Sequence, residues 1–181
     1  AAIVAGLPDD LANQAALTIA GGGIAIPNDD SILVLSPGVP RARDEVRDAV
    51  GAGRFVVHEI EVALGALGVF QNEHKVAVAA ITGTNGKSTT TSMLGSIVRE
   101  QDANAFVGGN LGRPLCEAVV EGERPSTLVL ELSSYQLETL TLLPVKAAVV
   151  TNLSPDHLDR YEGMEDYART KARIFAGLGP D

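Results

Sequence analysis

Basic residues are scarce in this chain, and so is cysteine. Across 181 residues, 14 Lys and Arg face 23 Asp and Glu, for a formal net charge of −9. An acidic surface repels a long polyanion, so nucleic acid is excluded as the expected partner, and any bound phosphate must be held by local groups. The single cysteine, Cys116, rules out an internal disulfide and suits a reducing compartment. It lies in the apolar stretch 114–120, where a buried filler is expected rather than a reactive thiol. No apolar run approaches the ~20 residues needed to cross a bilayer. The opening AAIVAGLPDD lacks the basic start of a signal peptide. A cytoplasmic protein with no membrane partner is therefore expected. No internal repeat or low-complexity tract occurs, and no Asn-Lys-x-Asp guanine motif, which argues against a GTPase. Apolar residues make up 45% of the chain, enough for a real core in one large or two small domains.

The most informative stretch is VAVAAITGTNGKSTTT, from Val76 to Thr91. A short apolar run ends in a glycine turn (Gly83, Thr84, Asn85, Gly86), then Lys87, Ser88 and Thr89, and a helical pattern follows. Met93, Leu94, Ile97 and Val98 are spaced to fall on one face of that helix. Strand, glycine loop, Lys-Ser and helix is the order a phosphate-binding loop needs. Glycines let backbone N–H groups curl around phosphate oxygens, and the helix N-terminus adds partial positive charge. Lys87 is placed to reach terminal phosphates and the Ser88 hydroxyl to ligate Mg²⁺. Ile81 stands where the first glycine of G-x-x-x-x-G-K-[ST] belongs, leaving a compact G-x-x-G-K-S. An ATP site is expected here. A Gly-Thr-Asn-Gly turn that happens to precede Lys-Ser is the plain alternative.

The rest of the chain predicts an α/β fold, a mostly parallel sheet with helices on both faces. Strands are expected at 32–35, 55–57, 76–81, 128–132 and 147–150, and helices at 44–50 and 59–67. Residues 71–75 are polar enough for a linker, which suggests domains at 1–72 and 73–181. Residues 1–31 show weak periodicity and no assignable element. In parallel sheets, ligands gather at the carboxyl ends of the strands. Each polar cluster of this chain lies at such a point. Phe106 and Val107 precede Gly108, Gly109, Asn110, Leu111 and Gly112. TLVLEL ends in Glu131, with Ser133, Ser134, Tyr135 and Gln136 beyond. AAVVTN leads to Ser154, Pro155, Asp156, His157, Leu158, Asp159 and Arg160. Taken singly, Gly-Gly-Asn reads equally as a turn, Ser-Ser as a helix cap, the aspartates as solvated acids, and Glu131 as a lone acid at a strand end stabilised by a neighbouring base. Glu131 is the strongest candidate, because an acid closing an apolar strand is where a P-loop fold holds its metal.

ITGTNGKST, GGNLG, LVLELSSYQLE, VVTNLSPDHLDRY and YARTKARIF, in this order, resemble the motifs of the Mur ligases of peptidoglycan synthesis. ELSSYQLE is most similar to the D-glutamate-adding branch. The resemblance covers about residues 32 to 178 and is strongest from Val76 onward. Before that it rests on Ser36-Pro37-Gly38 and His58-Glu59-Ile60-Glu61. It implies a partial Rossmann-like UDP-sugar-binding domain, followed by part of a P-loop ATPase-like central domain. The family's third, amino-acid-binding domain is missing, so a fragment unable to complete the reaction alone is expected. The first domain's usual glycine loop is not found in residues 1–31, where Gly21-Gly22-Gly23 is the nearest run.

The implied substrates are ATP, UDP-N-acetylmuramoyl-L-alanine and D-glutamate, joined through an acyl phosphate by a monomeric enzyme. By the same resemblance, Lys87, His157 and Lys171 are catalytic. Residues Gly83 to Thr89 bind ATP, and Ser88, Glu131, His157 and Lys171 serve Mg²⁺. Ser36, Pro37, Gly38, Asn110 and Ser133 contact the UDP-sugar substrate. The lysine matching Lys171 in this family carries a carbamate, which turns a cation into an oxygen ligand for a hard metal. On residues alone, Lys171 is equally a solvated helical lysine like Arg169 and Arg173. Three alternatives stay open: another Mur ligase or folylpolyglutamate synthase relative, a different phosphoryl-transfer NTPase, and a non-catalytic nucleotide-binding domain.

Overall fold

The computed structural model describes residues 32–35, 39, 42–70, 76–141 and 143–178. The Ser36-Pro37-Gly38 loop, the 71–75 linker and the 21–23 glycine run lie outside the described residues.

The described residues form two parallel sheets. In the first, β1 (Leu33–Leu35) pairs with β2 (Val56–His58), and helix α1 (Asp44–Gly51) connects them. Asp44 and Glu45 open α1, where acids oppose the positive end of the helix dipole, and Val46 and Ala49 are buried. β2 runs straight into α2 (Glu59–Ala66). His58 caps that helix: its Nδ1 accepts the Ile60 amide at 3.3 Å, and Glu61 Oε2 accepts the His58 amide at 3.0 Å.

The second sheet has the order β4-β5-β3-β6, all parallel. Its strands are β3 (Ala77–Thr82), β4 (Phe106–Gly109), β5 (Thr127–Glu131) and β6 (Ala147–Val150). Between and after them come α3 (Lys87–Arg99), α4 (Leu115–Val120), α5 (Ser134–Thr139) and α6 (Met164–Ala172), the last continuing into a 3₁₀ turn at Arg173–Phe175. The central strand β5 is buried from Leu128 through Glu131, as a parallel strand covered on both faces requires.

Both faces are covered by helices. Val78, Ala80, Phe106, Leu128 and Leu130 share one core with Ile60, Ala63 and Leu64 of α2 and Leu115 and Ala118 of α4. The helix after the first β–α unit is thus built into the core of the second sheet. Two acids of its first turn reinforce the join. Glu59 Oε1 accepts the Cys116 amide at 2.7 Å, and Glu61 Oε1 accepts the Thr141 amide at 2.9 Å. Glu59 and burial together push the Cys116 thiol up to about 12, with burial the larger cause, so this sulfur is inert filler.

Helix α3 covers the other face. The apolar stripe of Met93, Leu94, Ile97 and Val98 does not form its buried face. Met93 and Ile97 are 63% and 62% exposed, and Thr91 and Gly95 are the buried positions. The reason is closeness. A Cβ on Gly95 would stand 2.7 Å from the Val107 methyls, so the helix approaches the sheet through its smallest residues. No described helix is long and apolar enough to cross a membrane.

Candidate active site

The parallel order brings the carboxyl ends of four strands together. Register pairs Ile81 with Glu131, Gly109 with Glu131, and Thr82 with Val150. The glycine loop, Asn110, Glu131 and the segment after β6 therefore meet along one edge, although they are far apart in the chain.

The loop leaves β3 at Gly83 and enters α3 through Gly86, whose φ of 79° and ψ of −1° make a left-handed cap. Gly83 has φ 145°, and a Cβ there would lie 1.9 Å from Thr151 Oγ1. Only glycine fits this approach. The segment after β6 laces the loop in place. The Thr84 amide donates to Asn152 O at 3.0 Å and the Asn85 amide to Asn152 Oδ1 at 3.1 Å. Thr151 Oγ1 donates to Asn85 O at 2.7 Å. Thr84 Oγ1 lies 3.1 Å from the Tyr167 hydroxyl and accepts the Ser154 amide at 3.1 Å. First-turn amides of a helix have no carbonyl within the helix to bond, so those of Lys87, Ser88 and Thr89 face the edge as donors. Ser88 and Thr89 are exposed there.

Two lysines converge on this loop. Lys87 Nζ donates to Gly83 O at 3.0 Å and Thr84 O at 2.9 Å. Lys171 Nζ, from α6, donates to Gly83 O at 2.9 Å. Lys171 is only 2% exposed, which distinguishes it from the exposed Arg169 and Arg173. Arg169 pairs with Glu165 on the surface at 3.1 Å, and Arg173 donates to Leu140 O at 2.6 Å. Burial first, and the Lys87 charge second, push the Lys171 amine down to about 8, against the opposite pull of Asp156. The Tyr167 ring lies 4.7 Å from Lys171 Nζ. Burial also raises the Tyr167 phenol, so it stays protonated beside Thr84.

Glu131 is 2% exposed. Asn110 Nδ2 donates to its Oε1 at 2.9 Å, whereas Oε2 is buried without a hydrogen-bond partner. An unmatched carboxylate oxygen at a strand end is a ready ligand for a cation. Among the described residues no group of three His, Cys, Asp or Glu is clustered as a self-sufficient metal cage.

His157 has φ 53°, the single non-glycine residue with positive φ among the described residues. Its imidazole leans on the Tyr135 ring, with centroids 4.9 Å apart, and its Nε2 lies 3.5 Å from Asp156 Oδ2. Ser133 caps α5: its Oγ accepts the Gln136 amide at 3.3 Å while Gln136 Oε1 accepts the Ser133 amide at 2.9 Å. A separate cavity of about 580 Å³, against Arg99, Phe106, Arg113 and Arg124, opens at the opposite ends of β4 and β5, away from the loop.

Residues Gly83 to Thr89, Glu131, Asn110, Lys171 and the 151–157 segment are thus brought to one edge. The sequence does not single out Thr151, Asn152 or Tyr167 as site residues. Tyr167 stands four residues before Lys171 on α6, so helical spacing alone could have placed both on one face.

The Mur ligase middle domain matches residues 81–181, more than half of the chain. The chain belongs to the Mur ligase family. Curated relatives include the UDP-N-acetylmuramoylalanine–D-glutamate ligase of Anaeromyxobacter dehalogenans, 45% identical over 83% of this chain. The enzyme of the same name from Myxococcus xanthus is 46% identical over 80% of this chain. This Mur ligase chain spans about 31% and 30% of the length of those two relatives. Among solved structures, MurF ligase from Thermotoga maritima in complex with ADP superposes with a TM-score of 0.50 at 17% identity. It aligns with 84% of this chain and 45% of that one, and the likeness concerns the fold.

Proposed function

We propose that this chain carries the ATP-binding and metal-binding part of a ligase that adds D-glutamate to UDP-N-acetylmuramoyl-L-alanine. The observation that carries the reading is the convergence at one sheet edge of a phosphate loop, a buried glutamate with a spare oxygen, and a buried lysine of lowered pKa. The relatives' name supplies the substrates.

In the reaction, an L-alanyl carboxylate oxygen attacks the γ-phosphorus of ATP and ADP leaves. The D-glutamate amine then attacks the acyl carbon of the acyl phosphate, and inorganic phosphate leaves as the amide forms. Each step brings anions together, so positioning and charge neutralisation do most of the work. Lys87 exchanges Gly83 O and Thr84 O for the β- and γ-phosphates. The first-turn amides of α3 point at the same phosphates. Mg²⁺ would be held by Ser88 and Glu131, with a second ion at His157 and Lys171, and would supply charge neutralisation during phosphoryl transfer.

Lys171 serves as a carbamate in this reading. A neutral amine is needed to react with CO₂, and burial supplies it near neutral pH. The nearby Lys87 charge disfavours an ammonium there and favours an anion. The carbamate keeps one N–H, enough to retain the bond to Gly83 O. Asn110, Ser133 and the Ser36–Gly38 loop contact the UDP-sugar. Domains at 1–72 and 73–181 divide the two tasks.

The test is phosphate release by a full-length ligase carrying these residues. Release should require UDP-N-acetylmuramoyl-L-alanine and D-glutamate together. Release without either, or with another amino acid in place of D-glutamate, overturns the reading.

A further inference from the structure

We infer that Tyr135, Glu138 and Arg160 form a clamp that positions His157 relative to Glu131, with Arg160 and Tyr135 as positioning residues. The inference rests on the proposed metal role of His157.

His157 sits in a left-handed backbone conformation that a non-glycine residue adopts only when its surroundings hold it there. Its side chain is about half exposed, and its ring contact is with Tyr135. Left to solvent, such an imidazole samples several rotamers. The geometry around it restricts them. His157 O accepts the Arg160 amide at 2.9 Å, closing a turn that fixes where Arg160 leaves the backbone. The Arg160 guanidinium then lies over the same Tyr135 ring, with Cζ 3.9 Å from its centroid. It also forms a two-pronged pair with Glu138, Nε to Oε1 at 2.9 Å and Nη2 to Oε2 at 2.7 Å.

Tyr135 and Glu138 are three residues apart on α5, so they present one face to the 157–160 turn. Helix α5 starts three residues after Glu131 and is locked by the Ser133–Gln136 capping box. Through this short rigid path, the carboxylate at the end of β5 and the imidazole after β6 are held at a set spacing. Arg160 Nη2 also reaches Val39 O at 3.5 Å, tying the turn to the first β–α unit.

A pair as little exposed as Arg160 and Glu138, 13% and 14%, gains little net stability over apolar packing. Its use here is to select one conformation. Lysine cannot replace the arginine, because it lacks both the fork and the flat face.

The experiment has two arms. In the 181-residue chain without nucleotide or metal, proton NMR resolves three histidines, and His157→Gln assigns the resonance of interest. Its ring-current shift should vanish in Tyr135→Leu, persist in Tyr135→Phe, and shrink in Arg160→Lys. In the full-length ligase, Arg160→Lys should raise the Mg²⁺ concentration for half-maximal velocity roughly 10- to 100-fold, as loss of partners that orient a metal ligand does. KM for ATP should stay within about twofold, since the phosphate loop is untouched. Glu138→Gln, nearly isosteric, should move both readouts the same way and covers the case of a poorly folding Arg160→Lys. A His157 resonance unchanged in Arg160→Lys and Glu138→Gln overturns the clamp, as does an unchanged Mg²⁺ requirement. Failure of the wild-type ligase to release phosphate overturns the ligase reading instead, and leaves the NMR arm standing.

Discussion

Lys87 and Lys171 donate to the same backbone oxygen, that of Gly83, from 3.0 and 2.9 Å. One cation comes from the first turn of the helix that follows the loop, the other from α6, 88 residues beyond Gly83 itself. Their shared acceptor lies at the residue where the loop leaves β3, and each lysine bears on a separate prediction.

Lys87→Ala should weaken Mg·ADP binding by the 181-residue chain. Charge-assisted hydrogen bonds to phosphate contribute about 1.5–3 kcal/mol, which corresponds to roughly ten- to hundred-fold in affinity. Isothermal titration calorimetry measures it. Equal affinity in the two proteins would remove the phosphate-loop role from Gly83 to Ser88.

Lys171 gives the fold a dependence on pH. Its folded amine is held at about 8, below the ordinary 10.5. Between those values the unfolded chain holds more protons than the folded one, so this group makes stability rise with pH across that window. Below about 8 both states are protonated and its unfavourable contribution is fully present. In CO₂-free buffer, where Lys171 is the free amine, urea titrations at about pH 8 and about pH 10 should therefore show a rise that Lys171→Met lacks. The difference between the two proteins cancels the tyrosines, which titrate in both. Parallel profiles would count against a buried amine of lowered pKa.

The carbamate has its own signature in the full-length ligase. Lys171→Ala should abolish most activity, and acetate or formate should partly restore it by occupying the vacated space. Lys171→Arg should stay inactive with the same additives, because it keeps a positive charge and fills the cavity. Removing CO₂ should slow the wild type, and bicarbonate should restore it. An active Arg variant would make Lys171 a plain cation.

Glu131→Gln keeps the shape and the Asn110 contact while removing the charge next to the unpartnered oxygen. Turnover in the full-length ligase should drop and its response to Mg²⁺ should flatten, with a thermal midpoint within a few degrees of wild type, roughly the shift ~1 kcal/mol produces. An unaltered Mg²⁺ response would leave Glu131 as a structural acid.

Features set by spacing along the chain are legible in the sequence itself. The strand–loop–helix order around Gly83 to Ser88 depends on neighbours a few residues apart, and the structure has strand, left-handed cap and helix in that order. Ser133 and Gln136, three apart, form the cap that Ser-Ser suggested. The apolar runs became parallel strands within a residue or two of their expected limits.

At α3 the apolar spacing marks the helix but not its buried face: Met93 and Ile97 are exposed, because a stripe shows which residues are apolar and not which face meets a close-lying sheet. Lys171 shows the larger limit. Beside Arg169 and Arg173 it looks like another surface cation, and only the packing of α6 against the end of β3 buries it on Gly83 O. Strand order likewise came from tertiary structure. Pairing of β3 with β5 sets Ile81 beside Glu131, 50 positions away, through hydrogen bonds that no local pattern encodes. The sequence determined the chemical groups and their local geometry, since backbone conformation and capping act over a few residues. Tertiary structure decided which groups meet and which lose their water, since both depend on contacts between distant segments.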